Sequence, residues 1–223
     1  MIPLRDNIPP GSRPVVNYAI LGITGLVFVF QLLEGGNGDS MAERYGMIPA
    51  RVFNPDARIL VPELAAERGR FGIRVREAQR EIAESGVPPW LTLFTCILLH
   101  GGWMHFLGNM WILYIFGDNV EDRFGHLGYL VFYVASGLAA SAAHLFASAD
   151  SVVPTIGASG AIAGVMGAYM FLYPRAKVMT LVPIFIFLEV MVLPAPVFLG
   201  LWFVLQFFQG ALSITSAQTG GVA

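Results

Sequence analysis

Long uncharged apolar stretches, separated by short polar connections, dominate this chain of 223 residues. A helix needs about 20 mostly apolar residues to cross a bilayer, and shorter stretches suffice where flanks or neighbouring helices compensate. Residues 178–192 are apolar but short, and they contain Pro183 and Glu189, so we expect a protein-covered or interfacial connection at membrane depth. Five other segments are predicted to be membrane-spanning helices: residues 15–33, 102–120, 127–146, 159–173 and 196–213.

The composition agrees with this pattern, because 56% of the residues are hydrophobic and 13% are charged. The sequence therefore predicts an all-α polytopic membrane protein. Most of the charges lie in one insertion between residues 36 and 90, where acidic and basic residues balance. The net charge is −2 and no basic run occurs, so nothing indicates a nucleic-acid partner. Cys96 is the only cysteine, which excludes an intrachain disulfide, and we interpret it as a packing residue.

The insertion has apolar residues at helical spacing and charged residues on a second face, which predicts an amphipathic helix. Gly69 and Gly72 are expected to limit its N-terminal extent. Such a helix packs on its own loop, lies on the outer leaflet, covers the functional site or touches substrate. The apolar positions are Phe71, Val75, Ala78 and Ile82, and the charged positions are Arg76, Arg80 and Glu84.

Basic residues in short connections predict the orientation, because such residues are retained on the cytoplasmic side. The connection at residues 147–158 has no Lys or Arg, and it alternates with connections that carry them. The N-terminus is therefore predicted to be cytoplasmic. The basic residues outside the insertion are Arg5, Arg13, Arg123, Arg175 and Lys177.

This orientation places three chemically notable side chains at a similar depth near the outer face. Ser159 lies between Gly157 and Gly160 at the start of one inward-running span. His105 and Asn109 are four residues apart, on one face of another inward-running span. Both can donate hydrogen bonds, and an amide at a helix N-terminus adds a third donor. Donors converging beside a serine indicate an oxyanion hole.

These residues resemble the rhomboid family of intramembrane serine proteases over nearly the whole chain. The resemblance implies that Ser159 is the nucleophile, that His105 and Asn109 support the oxyanion, and that Gly157 and Gly160 supply supporting backbone. It implies a rhomboid-like helical bundle, no cofactor, and transmembrane helices of other proteins as substrates. The motifs behind it are the stretch His100 to Asn109, Glu121-Asp122-Arg123, and Gly157-Ala158-Ser159-Gly160 followed by Ala161-Ile162-Ala163-Gly164.

One departure concerns the general base, which the family supplies as a histidine on a sixth span. No histidine follows Ser159 in this sequence. A serine hydroxyl without a base is a poor nucleophile, so the chain as given is expected to be inactive or nearly so. We expect it to be a fragment that stops before the sixth span. A small-residue stripe supports this view because it lacks an evident partner helix; it comprises Gly160, Gly164, Gly167 and Ala168.

Other readings stay open from the sequence. A non-catalytic relative would bind transmembrane helices through the same groove, whereas a transporter is disfavoured because no ionisable pair lines the predicted spans. His100 and His105 are expected on different helical faces, so no metal site is predicted. His144 is interpreted as structural. Glu121 and Arg123 are expected to pair with each other.

The predicted organisation is one membrane domain with short flanking segments. Residues 1–14 form a cytoplasmic segment, residues 15–213 the membrane domain, and residues 214–223 a lead-in to the missing span. A long extracytoplasmic first loop covers about residues 35–101. The expected location is the bacterial inner (plasma) membrane, with the lipid bilayer and transmembrane protein substrates as partners.

Overall fold

The computed structural model describes residues 1–9, 11–34, 41–69, 72–184 and 187–206. Helices make up most of the described chain, and five strands form two antiparallel sheets. Short 3-10 turns, Pro89–Leu91 and Cys96–Leu98, flank helix α4. The helices are α1 Val15–Glu34, α2 Met41–Tyr45, α3 Pro49–Phe53, α4 Thr92–Thr95, α5 Trp103–Ala147, α6 Ser159–Leu172 and α7 Ala195–Gln206, and the strands are β1 Ile2–Asp6, β2 Leu60–Gly69, β3 Gly72–Glu81, β4 Lys177–Ile184 and β5 Phe187–Pro194.

Two described helices, α1 and α5, are long and apolar enough to cross a membrane by length and composition. Helix α5 is two helices that meet at Gly125, where φ is 70°, so its halves correspond to the second and third predicted spans. Helix α6 has 14 residues and α7 is also short. The predicted count of five spans is therefore not established, and residues 207–213 of the fifth lie outside the described part of the chain.

A buried carboxylate of α5 holds the start of α1. Glu121 is 1% exposed and accepts hydrogen bonds from the amides of Val16 at 2.9 Å and Asn17 at 2.7 Å. These first-turn amides have no partner within their own helix, and a negative charge is favourable at that end. His126 contacts the same carboxylate. The expected pair of Glu121 with Arg123 is wrong, because the carboxylate is directed at α1.

Strands β1, β4 and β5 form a sheet that the sequence did not predict, so the all-α expectation is wrong in this region. Strands β4 and β5 form a hairpin from residues 177–194, and β1 pairs antiparallel with β4. The apolar stretch at residues 178–192 thus satisfies its backbone through strand pairing. Its partner, β1, is more than 170 residues distant in sequence.

Side-chain hydrogen bonds tie β1 to the helices. The indole of Trp111 in α5 donates to the carbonyl of Pro3 at 2.6 Å. The carboxylate of Asp6 accepts from Asn119 Nδ2 at 2.9 Å and from the hydroxyl of Tyr169 in α6. Burial raises the pKa of Asp6. These contacts place the N-terminal strand along the first half of α5.

The insertion after α1 contains a β-hairpin where the sequence pattern predicted an amphipathic helix, and that prediction is wrong. Strands β2 and β3 pair from Leu60 opposite Glu81 to Gly69 opposite Gly72. The two glycines therefore pair with each other at the connected end of the hairpin, where glycine is frequent. Residues 73–76 read Ile-Arg-Val-Arg, an alternation that suits a strand. Phe71 lies outside the described residues.

Helix α6 packs closely against the second half of α5 through small residues. A Cβ atom on Gly160 would overlap Ala140 Cβ, and one on Gly164 would overlap Ser136 Oγ. No atom of the described residues lies within 4 Å of a Cβ atom placed on Gly167. The expectation that the stripe lacks a partner helix is therefore wrong for Gly160 and Gly164. The inner face of α6 belongs to the hydrophobic core through Ala161, Ile162, Val165, Met166 and Tyr169.

Candidate active site

Ser159 is the first residue of α6 and is partly buried. Ala158 precedes it in the N-cap position and forms no side-chain cap. The amides of the first helical turn lack intrahelical partners, and the helix dipole makes this end positive. The start of α6 therefore presents backbone donors suited to a negatively charged group.

Gly157 fixes the close approach between this turn and α5. Its φ is 130°, in the region that favours glycine, and its amide donates to the carbonyl of Cys96 at 2.9 Å. A Cβ atom at this position would lie 2.8 Å from both Cε1 and Nε2 of His105, and 3.9 Å from Ser159 Oγ. The side chains of His105 and Ser159 therefore both lie beside Gly157.

The hydrogen bond at Nδ1 of His105 determines which ring nitrogen carries the proton. The amide of Gly101 donates to His105 Nδ1 at 3.4 Å, so Nδ1 acts as an acceptor. A neutral imidazole that accepts at Nδ1 carries its proton on Nε2. The nitrogen facing Gly157 and the start of α6 is therefore a hydrogen-bond donor.

Asn109 lies one helical turn further along α5 than His105. Its side chain is 6% exposed, and its Nδ2 atom is buried without a hydrogen-bond partner among the described residues. A buried polar group without a partner is unusual and costs about 1–3 kcal/mol. Asn109 and His105 line one cleft of 280 Å³ together with Trp202 of α7 and Met1 at the N-terminus. Ser159 does not line this cleft, so the structure places Asn109 beside His105 and not beside the serine.

Ser159 opens onto a second, smaller cavity of 190 Å³ that the sequence did not reveal. Its polar lining includes Ser141 and His144 from the second half of α5, and Thr155 from the loop before α6. The sequence interpretation of His144 is a structural role, and the structure places this residue in the lining of the same cavity as Ser159. The signal was its position near the outer end of the third predicted span. Cys96 lies here too and is 2% exposed, which confirms its interpretation as a packing residue.

The loop before α5 is held by α1. The side-chain amide of Gln31 accepts from the amide of His100 at 3.0 Å and donates to the carbonyl of His100 at 3.1 Å. The His100 ring is buried, and burial together with the neighbouring His105 lowers its pKa to about 4. His100 is therefore neutral at neutral pH.

The His100 and His105 rings lie in contact, with their centroids 5.1 Å apart. The expectation that they point to different helical faces is wrong, because His100 precedes the first residue of α5. Within the described ranges, no group of three or more His, Cys, Asp or Glu residues is placed to hold a metal ion.

Comparison with known proteins identifies similarity over this region. The family model "Rhomboid domain" matches residues 88–222, more than half of the chain. RHOMBOID-like protein 5 of Arabidopsis thaliana is 36% identical over 41% of this chain and 29% of its own length. In Bacillus subtilis (strain 168), the putative rhomboid protease YdcA is 35% identical over 37% of this chain and 41% of its own length, and the rhomboid protease GluP is 38% identical over 37% and 16%. The chain therefore spans less than half the length of these relatives. No solved structure matches it.

Proposed function

The chain belongs to the rhomboid family of integral membrane proteins, and we propose that it acts as an intramembrane serine endopeptidase with Ser159 as the nucleophile. The observation that carries the proposal is the packing of His105 over Gly157, two residues before Ser159. This arrangement combines a serine at a helix N-terminus with a fixed imidazole donor. Serine acyl transfer uses a nucleophilic hydroxyl together with donors that stabilise the oxyanion, and these two features can supply both.

The proposed reaction begins with attack of Ser159 Oγ on a peptide carbonyl carbon, while a base removes the hydroxyl proton. The carbonyl oxygen becomes an oxyanion, which accepts hydrogen bonds from His105 Nε2, Asn109 Nδ2 and the Ser159 amide. Collapse of this intermediate breaks the peptide bond, and the amine leaves with a proton. Water then hydrolyses the acyl-enzyme and regenerates Ser159.

Asn109 supports this assignment independently of His105. Its Nδ2 group is buried without a partner in the described structure, so the folded protein already bears the cost of an unmade hydrogen bond. A transition-state oxyanion would supply the missing acceptor. A donor that gains its bond only in the transition state accelerates the chemical step, and removal of such a donor typically costs about 100- to 1000-fold in rate.

The base that receives the Ser159 proton is assigned to no residue of this sequence. No histidine follows Ser159 in the 223 residues, and His105 presents a protonated Nε2 towards the site. His105 in this tautomer donates rather than accepts at that nitrogen. We therefore keep His105 as an oxyanion donor.

We propose transmembrane segments of other membrane proteins as the substrates. A helix satisfies its backbone carbonyls internally, so a substrate must unwind locally before Ser159 can reach a carbonyl. Gly or Pro near the scissile bond would lower the cost of unwinding. The proposed setting is the bacterial plasma membrane, with Arg13 and Arg175 on the cytoplasmic side and Ser159 towards the extracytoplasmic side, because basic residues of short connections are retained in the cytoplasm.

The test is cleavage of a membrane substrate by the complete gene product in liposomes. The substrate is a single-span fusion protein whose transmembrane helix carries a Gly-Pro pair, and a matched fusion carries Ala-Leu instead. We expect cleavage within the span of the first fusion, slower cleavage of the second, and none by Ser159→Ala. Co-purification of uncleaved fusion with the wild-type protein would instead identify a non-catalytic helix-binding protein.

A further inference from the structure

The first loop is hydrogen-bonded directly to the loop that leads to Ser159. Met47 and Thr155 form an antiparallel bridge, in which the Met47 amide donates to Thr155 O at 3.0 Å and the Thr155 amide donates to Met47 O at 2.7 Å. The Ala50 amide also donates to Ser151 O at 3.0 Å. Met47 is fully buried, so water does not compete for these bonds. Two points of the loop before α6 are thus attached to residues 47–50.

A buried arginine fixes residues 47–50 in turn. Arg51 of α3 is 7% exposed, and its guanidinium donates to Glu43 O and to Ala83 O, each at 2.7 Å. It therefore joins helix α2 to the segment that follows the β2–β3 hairpin. The fixed fork of a guanidinium can reach two carbonyls at once, which an ammonium group cannot do with the same geometry.

The carboxylate of Glu43 closes the same cluster. It accepts hydrogen bonds from Arg80 Nη1 and Nη2 at 3.1 and 2.5 Å, and from the Ala83 amide at 3.1 Å. The Arg80 hydrogen bond lowers the pKa of Glu43. Arg51 and Glu43 thus connect helices α2 and α3 to the residues around the end of β3.

Apolar packing also connects the first loop to the loop before α6. Ile48, Ile59 and Ile82 form a buried cluster of the first loop, and Val152 packs against it. On the far side, the Gly157 amide is held by Cys96 O. The loop before Ser159 is therefore held from two directions.

We propose that Arg51 is a positioning residue for Ser159: it fixes α3, and the Met47–Thr155 bridge transmits this constraint to the start of α6. This inference rests on the proposed function of Ser159 as a nucleophile. Arg51 itself touches neither Ser159 nor the cavity beside it. Its effect is on geometry, where a displacement of about 1 Å can cost 100-fold in rate.

The test separates positioning from folding by following fluorophosphonate labelling of Ser159 over time in the complete gene product. A purely structural role lowers the final labelled fraction and leaves the rate constant unchanged. Positioning lowers the rate constant at full final labelling. We expect Arg51→Met to reduce the rate constant at least tenfold, and Arg51→Lys at least threefold. The matched control is Arg58→Met, because the Arg58 side chain is 85% exposed.

A disulfide between positions 47 and 155 tests whether restoring the link between the two loops also restores the labelling rate. Hydrogen-bonded antiparallel pairs have Cα atoms about 5.5 Å apart, within the reach of a disulfide. Met47→Cys with Thr155→Cys, in the Arg51→Met background, should recover labelling rate after oxidation with copper phenanthroline and lose it again with dithiothreitol. Met47→Cys alone, treated identically, is the control for effects on Cys96.

The outcomes distinguish this inference from the function on which it rests. If wild-type protein is not labelled, the nucleophile assignment fails. If wild-type protein is labelled, and both Arg51 variants react at its rate or lose only final labelling, the positioning role is overturned. Should Arg51→Met fail to fold, an unchanged rate constant in Arg51→Lys overturns the proposal by itself.

Discussion

At the scale of single residues, Gly157 is the position where the proposed site tolerates least change. Its φ of 130° strains any other side chain, and a Cβ atom would overlap the His105 ring. We expect Gly157→Ala to displace His105 and to reduce Ser159 labelling by about 100-fold or more. Gly167→Ala is the matched control, since a Cβ atom there would meet no atom of the described residues within 4 Å, and its labelling rate should stay within twofold of wild type.

Asn109 offers a prediction in which activity and stability diverge. Because its Nδ2 atom has no described partner, replacing it with an apolar side chain of similar size removes an unsatisfied group from the interior. Asn109→Leu should therefore reduce substrate cleavage by about 100- to 1000-fold while the thermal unfolding midpoint stays level or rises. A lower midpoint with unchanged cleavage would show that the amide is structural. Both readings come from one preparation in detergent.

At the scale of elements, the glycines of α6 set its distance from the second half of α5. A side chain at Gly164 would meet Ser136, so the helices would have to separate. We expect Gly164→Val to destabilise the protein by about 1–3 kcal/mol, the usual range for overpacking. Adding Ser136→Gly should recover part of the loss, whereas the same substitution alone should not stabilise. Thermal unfolding of the wild type and the three variants measures this coupling, and strict additivity would contradict direct packing.

Elements were predictable where the signal was local. The starts of α1 and α6 at Val15 and Ser159 follow from apolar stretches, which determine helices without reference to the rest of the chain. The β1–β4–β5 sheet was not predictable, because β1 supplies its edge from the opposite end of the sequence. The sequence of β3 fits both a strand alternation and an equally regular helical spacing. Only the partner strand distinguishes the two patterns.

In the candidate site, too, local patterns were informative and long-range contacts were not predictable. Ser159, His105 and Asn109 are proposed from their spacing and from the glycines around the serine, and the structure places His105 and Ser159 beside Gly157. The constraint from Arg51 was not predictable, because it depends on a bridge between Met47 and Thr155 that no local pattern records. Charged residues in a balanced loop read as solvated from the sequence alone, and burial of Arg51 emerges only from the fold.

At the scale of the whole molecule, the orientation across the membrane is the main expectation that charge pattern supports. We predict that residue 175 is cytoplasmic and that residue 56 is extracytoplasmic; both side chains are exposed. Arg175→Cys and Asp56→Cys test this with a membrane-impermeant maleimide on intact cells. Only Asp56→Cys should react before lysis, and wild type should stay unlabelled because Cys96 is buried. Labelling of Arg175→Cys alone before lysis would show that the topology is the opposite of the predicted one.

The central claim is that Ser159 is a nucleophile, and its most direct test is peptide mapping after fluorophosphonate treatment of the complete gene product in lipid vesicles. One adduct is expected, on the peptide that contains Ser159, and none in Ser159→Ala. Strongly reduced labelling in His105→Ala would accompany it if the imidazole supports the oxyanion. An unmodified Ser159, in a sample where a serine hydrolase added as a control is fully labelled, would show that Ser159 is not a nucleophile.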